Sequence, residues 1–547
     1  MSIFFVTTNQ TSTRVLAAGD GVMITRNGGI SVPGGHAVEA TGTANSTNVQ
    51  IDGYAYGRNS GVYLTGTDLG NDDATGIGGH LVQITANGSA GSAEAISGYG
   101  GVVVSGAGSV VSNQGQVFGS NAGVLAHGVT TTISNGGAIM AGTCGVEFRG
   151  DDGVSFAYEL VNSGVIEGET AVVRTGGFGE TRIVNTGSIS ALSGGVAVAV
   201  TGTVAGASSL VLTNSGTISG AGGAIVAAQS ELAATPGQTD DRVLNHGLII
   251  GDVSLFLGDD RLRNDGRIDG DVDLGVGNDI YSGYGGRVDG AISGGDGDDL
   301  FLVDQSDVQI TGGAGWDEIR AYGDVTSHGG IEVIKLQGGG ALNATGDDGD
   351  NQITGTSGAN ILIGGDGNDL LTGQAGTDDL QGGAGNDTLR GGADADVLGG
   401  GAGNDIMAGQ GGHDELEGGD GNDTMAGHAG DDILLGGLGR DLLVGGVGSD
   451  VFIYEALAET STDLAQSDRI AGFVPGEDRI DLSEINEESF AFIGTGAFSA
   501  GGGMELRYFV NGVGHSIVQM DGNGDGLADA ALLVLGVGSL TGGDFIL

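Results

Sequence analysis

Residues 346–453 repeat a nine-residue unit twelve times and read GDDGDNQIT GTSGANILI GGDGNDLLT GQAGTDDLQ GGAGNDTLR GGADADVLG GGAGNDIMA GQGGHDELE GGDGNDTMA GHAGDDILL GGLGRDLLV GGVGSDVFI. Position 1 of each unit is Gly, and position 4 is Gly except in the unit that carries Asp394. Position 6 is Asn in the first two units, Asn351 and Asn360, and Asp in the other ten, while position 8 is always large and apolar. A flexible Gly-rich linker has no reason to keep this register, so the pattern predicts a folded repeat.

The residue types of this unit predict a calcium-binding turn. Gly within the first six positions permits positive φ values and lets several carbonyl oxygens point to one place. The Asp at position 6 adds a carboxylate, and carbonyl and carboxylate oxygens select Ca²⁺. One turn offers too few ligands, so a second turn must stack on it. If two units complete one coil, each site is shared by Asp residues 18 positions apart, from Asp369 with Asp387 to Asp432 with Asp450.

The run resembles the repeats-in-toxin (RTX) haemolysin-type calcium-binding family, whose repeats form a parallel β-roll. In that family one turn binds Ca²⁺ through its Asp and the carbonyls at positions 2 and 4. The next turn on the same edge uses its Asp and the carbonyls at positions 1 and 3. The resemblance implies one site formed by Gly365, Gly367, Asp369, Gly382, Ala384 and Asp387. It implies multiple Ca²⁺ ions in all, with the further ligand residues Asp378, Gly383, Gly385, Asp396, Gly400, Gly401, Ala402, Gly403, Asp405, Asp414, Gly418, Gly419, Gly421, Asp423, Asp432, Asp441 and Asp450.

Two features depart from the family pattern. Asp394 replaces the Gly of position 4, which puts the calcium site of that unit in question. Asn351 and Asn360 carry no charge, so the first coil is expected either to bind Ca²⁺ weakly or to act as a cap.

A second repeat occupies the N-terminal half of the chain. The pattern Asn-x-Gly-x-(Ile/Val) is a polar turn followed by a short apolar strand. Its spacing is irregular, which indicates solenoid coils with loops of variable length on one side. The pattern begins at Asn113, Asn135, Asn162, Asn185, Asn214, Asn245 and Asn264.

Between the two repeats, calcium-type turns occur inside longer coils. They lie at 257–260, 274–279, 294–302 and 312–320, and the last two place Asp299 and Asp317 18 residues apart as candidate ligands. The predicted fold is all-β: a parallel β-helix-like solenoid that runs into a calcium-binding parallel β-roll and a small β-rich C-terminal region. The predicted segments are a solenoid at 1–250, transitional coils at 251–345, the nonapeptide β-roll at 346–453 and a serralysin-like secretion region at 454–547.

The C-terminal region resembles the same family. Residues 468–485, DRIAGFVPGEDRIDLSEI, are similar to the segment that follows the β-roll in serralysin-type proteins. The last four residues, 544–547, are an acid and three apolar residues, which resembles the C-terminal signal read by type I ABC export machinery. The N-terminal residues lack the basic and apolar regions of a secretory signal peptide, which agrees with that route. Residues 521–529, DGNGDGLAD, begin like an EF-hand loop but lack its Glu, so a calcium site and a plain acidic turn both remain open.

Composition excludes several classes of function. The formal charge is −52, from 18 basic and 70 acidic residues, so we expect no nucleic-acid binding. No apolar stretch approaches the roughly 18 residues of a membrane span, so we expect no membrane insertion. Cys144 is the only cysteine and is expected to be a small buried side chain. Trp316 is expected to be exposed.

The sequence leaves three functions open. The first is a secreted, non-catalytic protein that folds on extracellular Ca²⁺ and acts at the cell surface or in the matrix, in the manner of an adhesin. The second is a carbohydrate-active lyase or epimerase on a β-helix, for which acidic pairs such as Asp151 and Asp152 are candidates. The third is a surface-layer protein that assembles with itself. Related RTX proteins include zinc proteases and lipases, but the His-Glu-x-x-His and Gly-x-Ser-x-Gly motifs are absent. The expected partners are the export machinery and either a cell-surface glycan or further copies of the chain.

Overall fold

The computed structural model divides the chain into two compact units. Unit 1 comprises Met1–Leu302 and Gly313–Gly315, and unit 2 comprises Val303–Gly312 and Trp316–Leu547. The structure describes residues 108–127, 130–149, 155–176, 178–201, 208–227, 240–304, 309–485 and 489–547, and before residue 108 it describes the strands given below. Asp151 and Asp152 lie outside the described residues.

Unit 1 is a parallel β-solenoid in which each coil contributes one strand to each of three faces. Face A contains Ile3–Val6, Gly21–Ile24, Asn48–Ile51, Leu81–Ile84, Ser109–Asn113, Thr130–Asn135, Ser155–Asn162, Phe178–Asn185, Ser208–Asn214, Arg242–Asn245, Arg261–Asn264 and Ile280–Ser282. Face B contains Asn9–Gln10, Gly29–Val32, Tyr54–Gly57, Ser89–Ser92, Gln116–Gly119, Ala138–Ala141, Val165–Gly168, Ser188–Ala191, Thr217–Ser219, Leu248–Ile250, Arg267–Asp269 and Arg287–Val288. Face C contains Arg14–Val15, His36–Ala40, Ser60–Thr65, Gly100–Ser105, Ala122–His127, Cys144–Arg149, Ala171–Gly176, Val196–Thr201, Ile225–Val226, Val253–Ser254, Val272–Val276 and Ala291–Asp296. The strands Leu300–Val303 and Gln309–Ala314 contain the residues at which the two units divide.

The core of unit 1 is a set of stacked aliphatic side chains. Strand Ser208–Asn214 alternates buried and partly exposed residues along its whole length, as a strand with one buried face must. Leu212 pairs in register with Ile183 on one side and Val243 on the other, and all three are buried. Burying each such side chain contributes about 1.5–3 kcal/mol, so repeated stacking supplies the stability of a coil that is too thin to fold alone.

The asparagines of the N-terminal repeat form a ladder inside unit 1. Asn185 receives a hydrogen bond from the amide of Asn162 and donates one to the Oδ1 of Asn214, both at 2.8 Å. Gly187, two residues after Asn185, packs closely against Gly164 of the preceding coil. A Cβ on Gly187 would overlap the carbonyl of Gly164. The Asn-x-Gly motif therefore closes one corner of the coil, and the ladder satisfies polar groups that would otherwise be buried without partners. Its members are Asn113, Asn135, Asn162, Asn185, Asn214, Asn245 and Asn264.

Unit 2 contains a parallel β-roll with two faces. One face contains Glu318–Ala321, Val333–Leu336, Gln352–Thr354, Leu370–Ala375, Thr388–Ala393, Ile406–Gly411, Thr424–Ala429, Leu442–Val447 and Arg469–Ala471. The other contains Val325–Thr326, Asn343–Thr345, Ile361–Asp366, Asp379–Ala384, Val397–Ala402, Glu415–Gly421, Ile433–Gly439, Val451–Ile453, Arg479–Asp481 and Phe545–Ile546. Leu371 pairs with Leu389 and Leu389 with Met407, so one coil takes 18 residues, as the sequence predicts. These position-8 side chains are buried between the faces.

The remaining C-terminal strands continue the roll. Strands Glu505–Val510, Ser516–Asp521 and Ala530–Val534 form an antiparallel set, and Ala491–Phe492 pairs with the first of them. Ala530–Val534 pairs with Arg469–Ala471 in parallel, and Phe545–Ile546 pairs with Arg479–Asp481. Helix in the described part of the chain is limited to the 3₁₀ turns Leu457–Glu459 and Gly542–Asp544. The predicted all-β solenoid with a β-roll is confirmed.

Candidate calcium sites

From residue 365 onward, the turns of the β-roll adopt a left-handed backbone at position 2 and, except at Gly412, also at position 4. Gly365 and Gly367 have φ values of +125° and +113°. Non-glycine residues at position 2 follow the same course, since Gln374 and His428 have φ values of +88° and +78°. Asp394, at position 4, has a φ of +77°, so the backbone of its turn is kept without Gly. Such conformations cost free energy in non-glycine residues and persist only where the surrounding structure imposes them.

The position-6 aspartates form two buried ladders, one along each edge of the β-roll. The backbone amide of Asp369 donates to Oδ1 of Asp387, and the amide of Asp387 donates to Oδ1 of Asp405, each at 2.8 Å. The same bond joins Asp378 to Asp396 at 2.8 Å on the other edge. The ladders therefore pair the aspartates that lie 18 residues apart. Their members are Asp369, Asp387, Asp405, Asp423 and Asp441 on one edge, and Asp378, Asp396, Asp414, Asp432 and Asp450 on the other.

The second carboxylate oxygen of these ten residues is buried and accepts no hydrogen bond from any described residue. A buried carboxylate oxygen without a partner is costly unless it is protonated or neutralised by a cation. The ten side chains are at most 2% exposed, so water does not solvate them freely. Unsatisfied oxygens that recur at one position in ten successive turns indicate a ligand that recurs with them.

The Gly at position 1 makes room for this oxygen. A Cβ added to Gly364 would overlap Oδ2 of Asp369 and would lie 2.6 Å from the carbonyl oxygen of Gly382, which begins the next turn on the same edge. At Gly382 the added atom would meet Oδ2 of Asp387 and, at 2.7 Å, the carbonyl oxygen of Gly400. Carboxylate and carbonyl oxygens from stacked turns therefore converge on the space that the missing side chain leaves.

The carbonyls of positions 2 and 4 point toward the next turn. A Cβ on Gly383 would overlap the carbonyl oxygen of Gly365, and one on Gly385 would overlap that of Gly367. The carbonyl of Ala384, at position 3, accepts a 2.8 Å hydrogen bond from the amide of Gly367. The same arrangement recurs at the turns that carry the other predicted ligands, Gly400, Gly401, Ala402, Gly403, Gly418, Gly419 and Gly421.

Burial raises the pKa of the ladder carboxyls. The pKa values of Asp369, Asp396 and Asp423 rise from 3.8 to about 7, chiefly because burial penalises the charged form, and neighbouring aspartates of the ladder add to the rise. The pKa values of Asp378 and Asp441 rise to about 6 for the same main reason. The pKa of Asp450 also rises to about 6, and those of Asp387, Asp405, Asp414 and Asp432 rise as well. A bound cation would reverse this effect by favouring the charged form.

This donor set suits a hard cation. It consists of carboxylate and carbonyl oxygens, which Ca²⁺ prefers, and offers neither the imidazole nor the thiolate that Zn²⁺ selects. In the described part of the chain no group of three or more His, Cys, Asp or Glu side chains converges as a metal site. Carbonyl oxygens must therefore supply much of the coordination. Bound Ca²⁺ would neutralise the buried carboxylates and link stacked turns.

The first coil of the β-roll satisfies its own polar groups. Asn351 accepts a 2.8 Å hydrogen bond from the amide of Asp347 and donates one of 2.7 Å to the carbonyl of Ile331. Asn360 accepts from the amide of Thr356 and donates to a carbonyl in the same way. Both polar atoms of each Asn side chain therefore form hydrogen bonds within the protein, whereas each ladder Asp leaves its Oδ2 without one.

The two candidate ligands outside the nonapeptide run are also buried. Asp299, in unit 1, accepts a 2.7 Å hydrogen bond from the amide of Asp279 at its Oδ1. Asp317, in unit 2, donates its amide to Oε2 of Glu332 at 2.6 Å. Trp316 beside it is 59% exposed, as the sequence predicts, and Cys144 is buried.

Two residues that end the ladders were not identified by the repeat period. The amide of Asp441 donates to Oδ1 of Asp468 at 2.9 Å, and the amide of Asp450 donates to Oδ1 of Asp478 at 3.0 Å. Asp478 accepts a second bond at Oδ2, from the backbone amide of Val474. The signal for both was the Asp-Arg-Ile triplet at 468–470 and 478–480, which keeps positions 6 to 8 of the unit.

The acidic loop at 521–529 is held by its own hydrogen bonds. Oδ1 of Asp521 accepts from the amide of Gly524 at 2.7 Å, and its Oδ2 accepts from the amide of Gly526 at 2.8 Å. The side chain of Asp529 accepts from Gly522 and Asn523. The carboxylates of this turn therefore find their hydrogen-bond donors within the turn.

A family model of known repeats matches the residues that form these turns. The family model of the RTX calcium-binding nonapeptide repeat (4 copies) matches residues 293–324, 345–380, 372–407, 381–416, 408–443 and 417–452. No curated protein matches the chain significantly. Solved structures similar to this chain include the AlgE6R3 and AlgE6R2 subunits of a mannuronan C5-epimerase from Azotobacter vinelandii. The first is 26% identical, with 28% of this chain and 78% of that chain covered and a TM-score of 0.17. The second is 23% identical, with 28% and 89% covered and a TM-score of 0.16. Residues 293–324 and 345–452 thus match RTX calcium-binding nonapeptide repeats, and these repeats support a calcium-binding repeat protein.

Proposed function

We propose that this chain is a secreted, non-catalytic structural protein whose β-roll folds when it meets extracellular Ca²⁺. The observation that carries the proposal is the row of ten buried aspartates whose second oxygens lack partners. Without a cation these side chains repel one another and oppose folding. With Ca²⁺ the binding free energy becomes folding free energy.

The charge balance of the β-roll supports a calcium switch. Residues 346–453 contain 20 acidic residues and only two basic ones, Arg390 and Arg440. Such a segment repels itself in the calcium-poor cytosol and is expected to stay extended there. An extended chain suits passage through type I ABC export machinery. Extracellular calcium modules bind at about 10⁻⁴–10⁻³ M, so folding would follow export.

Unit 1 supports a structural role at a surface. Its coils repeat the same three-strand plan, and their cores are aliphatic from coil to coil. Repeats of this kind present long, regular faces for binding or stacking. No helix in the described part of the chain is long and apolar enough to cross a membrane. On the basis of these repeated faces, we propose a cell-surface glycan or a second copy of the chain as the partner, in an adhesin-like or matrix role.

The alternative is a carbohydrate-active enzyme on unit 1. A groove on face A is lined by Thr131, Tyr158, Glu159, Glu180 and Arg182 among others, and it brings two carboxylates and a guanidinium together. Paired carboxylates are the usual acid and base of glycan chemistry. A screen for unsaturated or epimerised sugars with the full chain and with a Glu159→Gln, Glu180→Gln variant tests this alternative.

Size-exclusion chromatography with light scattering during a Ca²⁺ titration tests the leading proposal. The chain, freed of metal by a chelator, should shrink in hydrodynamic radius at constant mass as Ca²⁺ rises toward millimolar concentration. Growth in mass would favour assembly into a surface array. A radius that does not change would contradict calcium-dependent folding.

A further inference from the structure

Two turns of unit 1 adopt the backbone of the β-roll turns although they lie in three-faced coils. They are residues 255–260 and 274–279, which end in Asp260 and Asp279. Phe256 and Gly258 have φ values of +70° and +132°, and the equivalent residues of the next coil, Gly275 and Gly277, have values of +113° and +143°. These are positions 2 and 4 of the β-roll turn, where the φ values are likewise positive.

The hydrogen bonds between these two turns match those of the β-roll. The amide of Gly258 donates to the carbonyl of Val276 at 2.8 Å, as position 4 donates to position 3 of the next turn in the roll. The amide of Asp260 donates to Oδ1 of Asp279 at 2.7 Å, which is the ladder bond of the roll. The amide of Ile280 donates to the carbonyl of Asp260 at 2.9 Å, as position 7 does in the roll.

The carbonyl groups also point the same way. A Cβ on Gly275 would overlap the carbonyl oxygen of Phe256, and one on Gly277 would overlap that of Gly258. In the β-roll, Gly383 and Gly385 stand in this relation to the carbonyls of the turn before them. The two carbonyls of the first turn therefore face the second turn.

The carboxylates between these turns are buried and half satisfied. Asp260 is fully buried and Asp279 is 1% exposed. Each accepts one backbone hydrogen bond at Oδ1, and Oδ2 of each lacks a hydrogen bond from any described residue. Asp241 precedes them in the ladder, is also fully buried, and leaves its Oδ2 in the same state. Three stacked buried carboxylates with open oxygens point to a cation among them.

One feature differs from the β-roll. Leu255 and Leu274 occupy position 1, where the roll has Gly, and both side chains are fully buried. The interior of the three-faced coil thus holds a large side chain at this position. The two turns are 19 residues apart rather than 18, so they lack the period that identifies the roll. Both turns precede residue 293, where the family match begins.

We propose that turns 255–260 and 274–279 bind one Ca²⁺ ion between them. The carbonyl oxygens of Phe256 and Gly258 and the carboxylates of Asp260 and Asp279 supply the ligands. Calcium dependence then extends beyond the nonapeptide repeats into the β-helix of unit 1. All the proposed ligands belong to unit 1. Calcium binding at this site can therefore be tested separately from the calcium-dependent folding proposed for the β-roll.

Hydrogen–deuterium exchange of the full chain, with chelator and with Ca²⁺, tests the proposal. Peptides that cover 255–282 should exchange more slowly with Ca²⁺, by about tenfold when free Ca²⁺ is about ten times the dissociation constant. Mg²⁺ at the same concentration serves as the control ion. The variant Asp260→Asn keeps the Oδ1 acceptor but removes the charge, and it should abolish this slowing while peptides from 346–453 still respond.

Calcium stoichiometry gives a second, independent measurement. Equilibrium dialysis should show about one fewer bound ion per chain for Asp260→Asn than for the unaltered chain. The matched control is Asp259→Asn, an exposed acid one residue earlier that should keep the full number. If 255–282 exchanges at the same rate in chelator and Ca²⁺ while 346–453 responds, the proposed site is refuted and the β-roll proposal stands. An Asp260→Asn chain that retains every ion also refutes it.

Discussion

The backbone amide of Asp387 donates a 2.8 Å hydrogen bond to Oδ1 of Asp405, 18 residues further along the chain. Oδ1 is thereby committed to the β-roll scaffold, while Oδ2 of Asp405 remains buried without a hydrogen bond. Each aspartate of the ladder thus has a structural oxygen and an oxygen available for a ligand. This division of roles allows the two functions to be separated by substitution.

Asp405→Asn should remove calcium binding while leaving the ladder in place. The amide oxygen of Asn can still accept from Asp387, but the charge that attracts Ca²⁺ is lost. We expect loss of about one or two bound ions and a weaker calcium response, because Asp405 faces turns on both sides. Equilibrium dialysis measures the ions. Asp379→Asn, on the outer surface of a strand, is the matched control and should keep the full number.

Gly400→Ala should destabilise the calcium-loaded β-roll. The added Cβ would overlap Oδ2 of Asp405 and lie 2.7 Å from the carbonyl of Gly418. Such overpacking costs about 1–3 kcal/mol, in addition to the lost calcium affinity. Chemical denaturation in saturating Ca²⁺ measures the change. Gly399→Ala is the control, since its Cβ would meet only the side chain of Gln381, at 3.2 Å or more. Equal stability of the two variants would show that position 1 is not a site of close packing.

Acidic pH should partly replace calcium in folding the β-roll. The pKa values of Asp369, Asp396 and Asp423 are raised to about 7, so these groups bind more protons in the folded state than in the unfolded chain. A raised pKa contributes stability that is fully present below the unfolded value near 4 and is lost as pH rises through about 7. The metal-free chain should therefore be more structured at about pH 5.5 than at about pH 8.

The same shifts predict the pH dependence of calcium affinity. Protons compete with Ca²⁺ for the buried carboxylates, so affinity should fall as pH falls from about 8 to about 6. Calcium titrations followed by far-ultraviolet circular dichroism at several pH values measure both effects. A metal-free chain that loses structure on acidification over this range would contradict the assignment of raised pKa values.

Asn185→Ala should destabilise unit 1 whether or not Ca²⁺ is present. Asn185 accepts from Asn162 and donates to Asn214 and to the carbonyl of Thr217, so its removal leaves buried partners unsatisfied. The expected cost is about 1–3 kcal/mol for each buried group left unpaired. Thermal unfolding of the full chain, monitored by hydrogen exchange of peptides from unit 1, measures this loss of stability. Leu192→Ala, at a side chain that is 62% exposed, should have little effect.

The parts of the fold that could be predicted are those in which the period and the chemistry agree. A nine-residue repeat with an apolar position 8 requires an 18-residue coil, and the pairing of Leu371 with Leu389 shows that coil. The all-β class follows from the same pattern. The Asn-x-Gly motif predicts the coils of unit 1, but its spacing alone does not show that Asn185 points inward to a ladder.

The parts that could not be predicted are those in which the period breaks. Asp468 continues a ladder after a jump of 27 residues from Asp441, because residues 454–467 form a loop that no repeat encodes. The calcium-type turns at 257–260 and 274–279 could be recognised, but the burial of Asp260 in a ladder could not, because Leu255 replaces the Gly that marks the unit. In both cases the ladder hydrogen bond is kept in the structure, although the spacing of the aspartates in the sequence is no longer 18 residues.

In the proposed function, Ca²⁺ lies between same-edge turns of the β-roll and neutralises their buried aspartates. Anomalous diffraction from crystals of the full chain grown with Ca²⁺ tests it most directly. We expect ordered calcium ions beside Oδ2 of the ladder aspartates, with one between the turns that end in Asp387 and Asp405. Well-ordered β-roll turns with no ion at these oxygens, or with calcium only at partly exposed acids such as Asp379, would contradict it.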